Sequence, residues 1–163
     1  MKRRRALLAT ALFLCLAPGT VAGLIPFWIS RWRFEPPFFG LEPVRWFGVL
    51  LIVLAAPVLF ESFARFAFEG LGTPAPILPT QHLVIRGFYR YVRNPMYIAV
   101  VSIVIGQGLL LGNSSLLLYA AVVWAAFLGF VLLYEEPKLR KTYGTEYEAY
   151  CDRVPRWIPR IIN

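Results

Sequence analysis

Four apolar runs, residues 6–29, 44–68, 96–111 and 116–134, limit what this chain can fold into more than any other feature. About 20 such residues in a helix cross the hydrocarbon core of a bilayer. In 163 residues a hydrophobic fraction of 58% and a mean hydropathy of +0.60 exceed what an ordinary soluble domain carries. The expected fold is an all-α membrane protein with about four transmembrane helices, a C-terminal helical hairpin and a cytoplasmic amphipathic tail. One membrane domain is expected over 1–163. Within it, two spans fall in 1–69, a cytoplasmic connector in 70–95, the hairpin in 96–134 and the tail in 135–163.

The first run follows Lys2-Arg3-Arg4-Arg5 and reads as a span. Basic, apolar and small-residue regions ending near Thr20-Val21-Ala22 also fit a cleavable signal peptide, but apolar character continues to Trp28 beyond that point. A loop rich in Arg, Pro and aromatic residues leads to the second run, where Pro57 is a place for a kink. Near its end Glu61 and Arg65 stand one helical turn apart, so they can pair and lower the burden of charge at membrane depth. From Glu69 to Arg86 the Gly and Pro density excludes a regular helix. This connector is too apolar for disorder and reads as a lid or wall over a site, with Leu83-Val84-Ile85 a short β-prone patch. In the third run Gly108 and Gly112 form a small-xxx-small face for a neighbouring helix. Gly106-Gln107-Gly108 lies within a helix and is no dinucleotide fingerprint.

Cation placement sets the orientation. With the N-terminus inside, Lys2, Arg3, Arg4, Arg5, Arg86, Arg90, Arg93, Lys138, Arg140, Lys141, Arg153, Arg156 and Arg160 fall inside, against Arg31, Arg33 and Arg45 outside. Thirteen against three places both termini in the cytoplasm by the positive-inside rule, in a multi-pass protein. A net charge of +8 distributed beside apolar runs suits the lipid bilayer and its anionic head groups as partner, and no nucleic acid is expected. Cys15 and Cys151 form no CxxC pair, and His82 is the single histidine, which excludes a histidine-based metal site; no metal is expected.

The polar chemistry gathers at Gly87–Tyr97, with Tyr89, Tyr91, Tyr97, Arg90 and Arg93 at the mouth of the third run. Asn94-Pro95 reads as a helix start, Asn capping free N–H groups and Pro fitting the first turn. An interfacial Arg/Tyr belt would look the same. The hairpin of the third and fourth runs, however, returns Glu135-Glu136 to this same face. After Pro137, Tyr143, Tyr147 and Tyr150 form a helical stripe, with Thr145 and Glu148 as a capping box after Gly144. A helix start and arginines favour an anion and the two glutamates a cation, so a ligand with carboxylate, ammonium and sulfonium groups, such as S-adenosyl-L-methionine, matches both. A phosphatidylethanolamine head group fits the same charges.

The order Gly-x-Tyr-Arg-Tyr-x-Arg-Asn-Pro-x-Tyr, hairpin, Glu-Glu, Tyr-Gly-x-x-Tyr-x-x-Tyr and Arg-Val-Pro resembles the isoprenylcysteine carboxyl methyltransferase and phospholipid methyltransferase families, over residues 73–155. The resemblance implies an S-adenosyl-L-methionine site made by Gln81, His82, Leu83, Val84, Tyr89, Asn94, Pro95, Met96, Tyr97 and Glu135, with Arg93 and Glu136 as additional candidates. It implies direct methyl transfer to a lipophilic small-molecule or prenylated acceptor, either a prenylcysteine-like carboxylate or an amino-lipid. No catalytic residue is assigned. Asn94 stands where the family usually has His, and Val131 where the prenylcysteine enzymes have an arginine. Membrane sterol reductases, which use a nicotinamide cofactor, resemble the C-terminal region too, and a non-enzymatic membrane protein is the remaining alternative.

Overall fold

The computed structural model describes residues 2–68 and 83–160. These are mostly helical, without strands among them; Leu83-Val84-Ile85 is irregular and pairs with no sheet. In order come α1 (Lys2–Gly19), a π turn (Thr20–Leu24), α2 (Ile25–Ser30), α3 (Glu42–Phe68), α4 (Pro95–Leu111), α5 (Ser114–Phe130), a second π turn (Val131–Glu135), α6 (Glu136–Tyr143) and α7 (Thr145–Arg153). Among the described residues, three stretches are long and apolar enough to cross a membrane: Ala11–Ser30, Glu42–Phe66 and Ser114–Tyr143. The expected third span is the shorter helix α4, of 17 residues. Outward faces remain apolar, with Leu118 70% and Leu133 83% exposed, as suits helices that meet lipid rather than water. The protein is an integral membrane protein.

Helix α4 lies at the centre, packed along α3 and paired with α5. Its closest approach to α3 is at Gly48 and Gly106. A Cβ on Gly48 would stand 2.6 Å from the Gly106 carbonyl oxygen, and one on Gly106 would stand 2.7 Å from that of Gly48. Backbones this close exclude any side chain, the small-residue packing expected between membrane helices. The expected Gly108–Gly112 face is thus corrected. Gly108 packs against Leu117 of α5, whereas Gly112 ends α4 in the left-handed region (φ 72°) beside the Pro36 carbonyl.

Both π turns come just before a proline, Pro26 and Pro137, which has no N–H to continue the ladder. At the first, the freed carbonyls of Val21 and Ala22 accept from the Tyr119 hydroxyl (2.9 Å) and the Gln107 amide (2.7 Å). At the second, the backbone stays helical across Glu135-Glu136. The glutamates therefore lie within one continuous helical path and not at the start of a separate tail.

Two expected caps are not made. The α7 N-cap is Gly144, without a side-chain bond, and Glu148 instead faces Arg140 at 3.8 Å, so Thr145 and Glu148 form no capping box. Positive φ at Gly144 lets the chain turn there without a side-chain acceptor. Tyr147, Tyr150 and Val154 are buried together with Leu83, Leu139 and Tyr143, so the tyrosine stripe packs the tail onto the body.

Candidate functional site

Pro95 opens α4 at its first position, and the helix then carries Tyr97 toward α5. The Tyr97 ring lies 4.6 Å from that of Phe127, and its hydroxyl donates to Glu135 Oε2 at 2.7 Å. The π turn widens the helix at the residue that bears this carboxylate, a distortion that often re-aims a side chain. Glu135 is half-buried, and its hydrogen-bond partner among the described residues is a tyrosine rather than an arginine.

Glu136 faces elsewhere. It is 6% exposed and is held by Arg156 through Nε (2.7 Å) and Nη2 (2.9 Å) and by Arg93 through Nη1 (3.0 Å). Arg156 titrates above its ordinary value because its hydrogen bonds to Glu136 favour the charged form. Two arginines on one buried carboxylate leave little negative charge for a ligand, and they commit Arg93 to the protein's own glutamate. Arg93 Nη1 also stands 2.8 Å from Cys151 Sγ. Arg90 takes no part; exposed, it lies over the ring of its neighbour Tyr91 at 4.8 Å.

The Asn94 side chain, expected as a helix cap, makes no capping bond and donates to the Arg156 carbonyl at 3.1 Å. The reason is the tail, which runs antiparallel along the mouth segment: the Arg93 amide donates to the Pro155 carbonyl (2.9 Å), and the Arg160 amide to that of Tyr91 (3.0 Å). Buried Asn94 satisfies a tail carbonyl instead of the helix end.

Tyr89 is buried, edge-on to Phe66, and its carbonyl accepts from the Tyr150 hydroxyl at 2.6 Å. Burial pushes the Tyr89 hydroxyl well above its ordinary value, and the charge of Glu135 adds to the effect. Glu61 and Arg65 form the expected pair (2.7 Å), and the Glu61 carboxylate presses against Gly87, where φ is 61° and a Cβ would collide with it. Met96 belongs to the core with Ala55, Leu59, Phe63, Ala99 and Val100. Val84 is buried and Leu83 packs on the tail tyrosines. Gln81 and His82 lie outside the described residues.

Of the residues named from the sequence, the structure puts Tyr97 and Glu135 in direct contact, while Asn94 turns to the tail, Met96 to the α3 core and Tyr89 to Phe66 and Tyr150. Sequence reasoning missed a neighbouring feature. An apolar groove of about 440 Å³ runs between α1 with the π turn after it (Phe13, Ala17, Val21) and the hairpin (Val100, Phe127, Phe130) and reaches Tyr97. It also missed Arg156 as the clasp on Glu136. A guanidinium directly after Arg-Val-Pro was a signal only of charge.

The described residues thus form an all-helical membrane protein in which a tyrosine hydrogen-bonded to a carboxylate lines an apolar groove. The sequence profile of the family described as phospholipid methyltransferase matches residues 44–146, and the chain belongs to this family. It is 40% identical over 80 residues to a protein-S-isoprenylcysteine O-methyltransferase of Schizosaccharomyces pombe, a match covering 48% of this chain and 34% of that protein. It is 30% identical over 128 residues to protein-S-isoprenylcysteine O-methyltransferase B of Arabidopsis thaliana, covering 75% of this chain and 64% of the relative. It is 33% identical over 128 residues to the A form from the same plant. The matches thus span about a third to two thirds of the length of these relatives.

Proposed function

We propose that the chain is an S-adenosyl-L-methionine-dependent methyltransferase that acts on a lipophilic acceptor at the cytoplasmic face of the membrane. The observation that carries this is the Tyr97–Glu135 hydrogen bond where the apolar groove meets the polar end of the hairpin. Family membership supports transfer of methyl over nicotinamide-dependent reduction. The excess of cations on the segments before and after the hairpin supports the cytoplasmic orientation.

The donor set fits a cationic cofactor. Glu135 offers a carboxylate hydrogen-bonded to a phenol, while the neighbouring Glu136 is neutralised by arginines; the rings of Tyr97 and Phe127 stand close by. Glu135, Tyr89, Leu83, Val84 and the Asn94–Tyr97 turn are the proposed cofactor-binding residues, with Gln81 and His82 contributed by the connector; Arg93 and Glu136 act on the site by fixing the tail. S-adenosyl-L-methionine supplies an electrophilic methyl on a sulfonium. The remaining task of the protein is to align and to exclude water. Tyr97 fixes the rotamer of Glu135, the tail holds the mouth segment by its backbone, and the groove admits an apolar chain while keeping the pair dry. The names of the relatives support a prenylcysteine-like carboxylate as acceptor, which needs no general base; the family description supports an amino-lipid as the other candidate.

The test is calorimetric titration of the purified protein with S-adenosyl-L-methionine beside Glu135→Gln. Micromolar-range binding that Glu135→Gln weakens is expected. Absence of binding to a folded sample overturns the reading.

A further inference from the structure

The groove that reaches Tyr97 has Val21 of the first π turn in its lining. It extends from Phe13 on α1 to Val21 in the π turn, roughly 12 Å of helix at 1.5 Å per residue. Helix α1 leans on α3, with Phe13 and Phe63 6.1 Å apart, and meets α4 through the π turn Thr20–Leu24. Pro26 leaves the Val21 and Ala22 carbonyls to be satisfied by Tyr119 and Gln107, and those two bonds draw the turn against the hairpin. Beyond the turn lies a second apolar cavity of about 430 Å³, bounded by Ala22, Ile103, Gln107, Leu110, Trp32 and Phe34. Two cavities of nearly equal volume thus adjoin the π turn, Val21 lining one and Ala22 and Gln107 the other, and these three residues form the partition between them.

We infer that this partition sets the length of hydrocarbon chain that an acceptor can carry to Tyr97. The inference rests on reading the groove as the acceptor's path. A chain whose polar head lies at the Tyr97–Glu135 pair extends along Phe13, Ala17 and Val21, and carbons beyond that reach must displace the turn. Displacement would break the bonds to Val21 and Ala22 and leave two carbonyls unpaired among apolar side chains, where each lost partner carries the full desolvation penalty. The partition therefore resists a longer chain instead of yielding to it. Val21 and Gln107 are specificity determinants that act far from the reacting atoms.

Photo-crosslinking of the full chain in lipid nanodiscs tests this without relying on turnover. The probes are N-acetylcysteines carrying S-geranyl, S-farnesyl or S-geranylgeranyl chains, each with a diazirine at the far end. Val21→Phe is expected to lower labelling by the longest probe relative to the shortest by about tenfold, the scale on which apolar pockets sort chain length. Gln107→Ala joins the two cavities, and the longest probe is then expected to label the Trp32–Phe34 segment. Val21→Phe removes no polar partner, so it decides the matter should Gln107→Ala fail to fold. Labelling of the groove with one chain-length profile in all variants overturns the partition and leaves the acceptor path standing. No labelling of α1 or α4 by any probe overturns both.

Discussion

Arg156 grips Glu136 with two nitrogens, at 2.7 and 2.9 Å, and its own backbone carbonyl accepts from Asn94. One tail residue thereby ties the π-distorted end of the hairpin to the start of α4. Bidentate arginine–carboxylate geometry is strong and directional, and Glu136 is too buried to be left unpaired. Arg156→Ala is expected to destabilise the protein by about 2–3 kcal/mol, near the lower part of the range for breaking buried pairs, because Arg93 remains on the carboxylate. Glu136→Gln, which strands two guanidinium groups, is expected to be at least as damaging. Thermal melting in detergent reads the loss, and limited proteolysis should show the tail after Arg153 cut earlier in both variants.

Tyr97→Phe separates the hydroxyl from the ring. The ring's contact with Phe127 survives, while Glu135 loses its hydrogen bond. Losing one such bond to a charged group is worth about 1.5–3 kcal/mol. Affinity for S-adenosyl-L-methionine should fall about tenfold, and further for Glu135→Gln, which removes the charge itself. Calorimetry on both variants checks the order; equal affinity in Tyr97→Phe and parent would detach the pair from the cofactor.

Much of this site was legible because hairpin topology is legible. Gly112-Asn113 between two apolar runs forces an antiparallel return, and the return brings Glu135 to Tyr97 whatever the details of packing. The Glu61–Arg65 pair was legible for the same local reason, an i,i+4 spacing on one helix. Roles decided by long-range competition were not. Asn94 has the chemistry of a cap, but a tail carbonyl outbids the helix end for its amide. Glu135 and Glu136 are indistinguishable as adjacent letters, and only the fold gives one of them a tyrosine and the other two arginines. Gly48 and Gly106 carry no shared motif because they sit on different helices. The groove depends on α1 leaning toward α3, which no periodicity in α1 announces.

The Gly48–Gly106 crossing makes its own prediction. Alanine at either position places a methyl within 2.7 Å of the opposing backbone oxygen, which no rotamer change relieves. The helices must separate, opening the seam along which α4 is held. Gly106→Ala is expected to cost about 1–3 kcal/mol by overpacking, and the double variant no more than slightly above the worse single, since one separation accommodates both methyls. Thermal unfolding of the two single variants and the double variant measures this coupling. Additive losses would mean that the two glycines do not share one contact.

Alkali should release the tail. Burial raises the Tyr150 hydroxyl above its ordinary value, with the nearby Tyr147 adding and Arg93 opposing, and the hydroxyl donates to the Tyr89 carbonyl. A phenol whose folded pKa exceeds its unfolded value, about 10, binds its proton more tightly when folded. Its stabilisation is therefore fully present below pH of about 10 and is lost as the pH rises toward the folded value. Tyr147 and Tyr89, both raised mainly by burial, act in the same direction. The melting temperature should hold steady through neutral pH and fall above pH of about 10, with tyrosinate absorbance appearing in two stages, exposed rings first and the tail cluster on unfolding. Tyr150→Phe should lower stability near neutrality by about 1 kcal/mol through the lost hydrogen bond, yet flatten the alkaline decline because one titrating group is gone. A decline of unchanged slope in Tyr150→Phe would place the alkaline transition elsewhere in the protein.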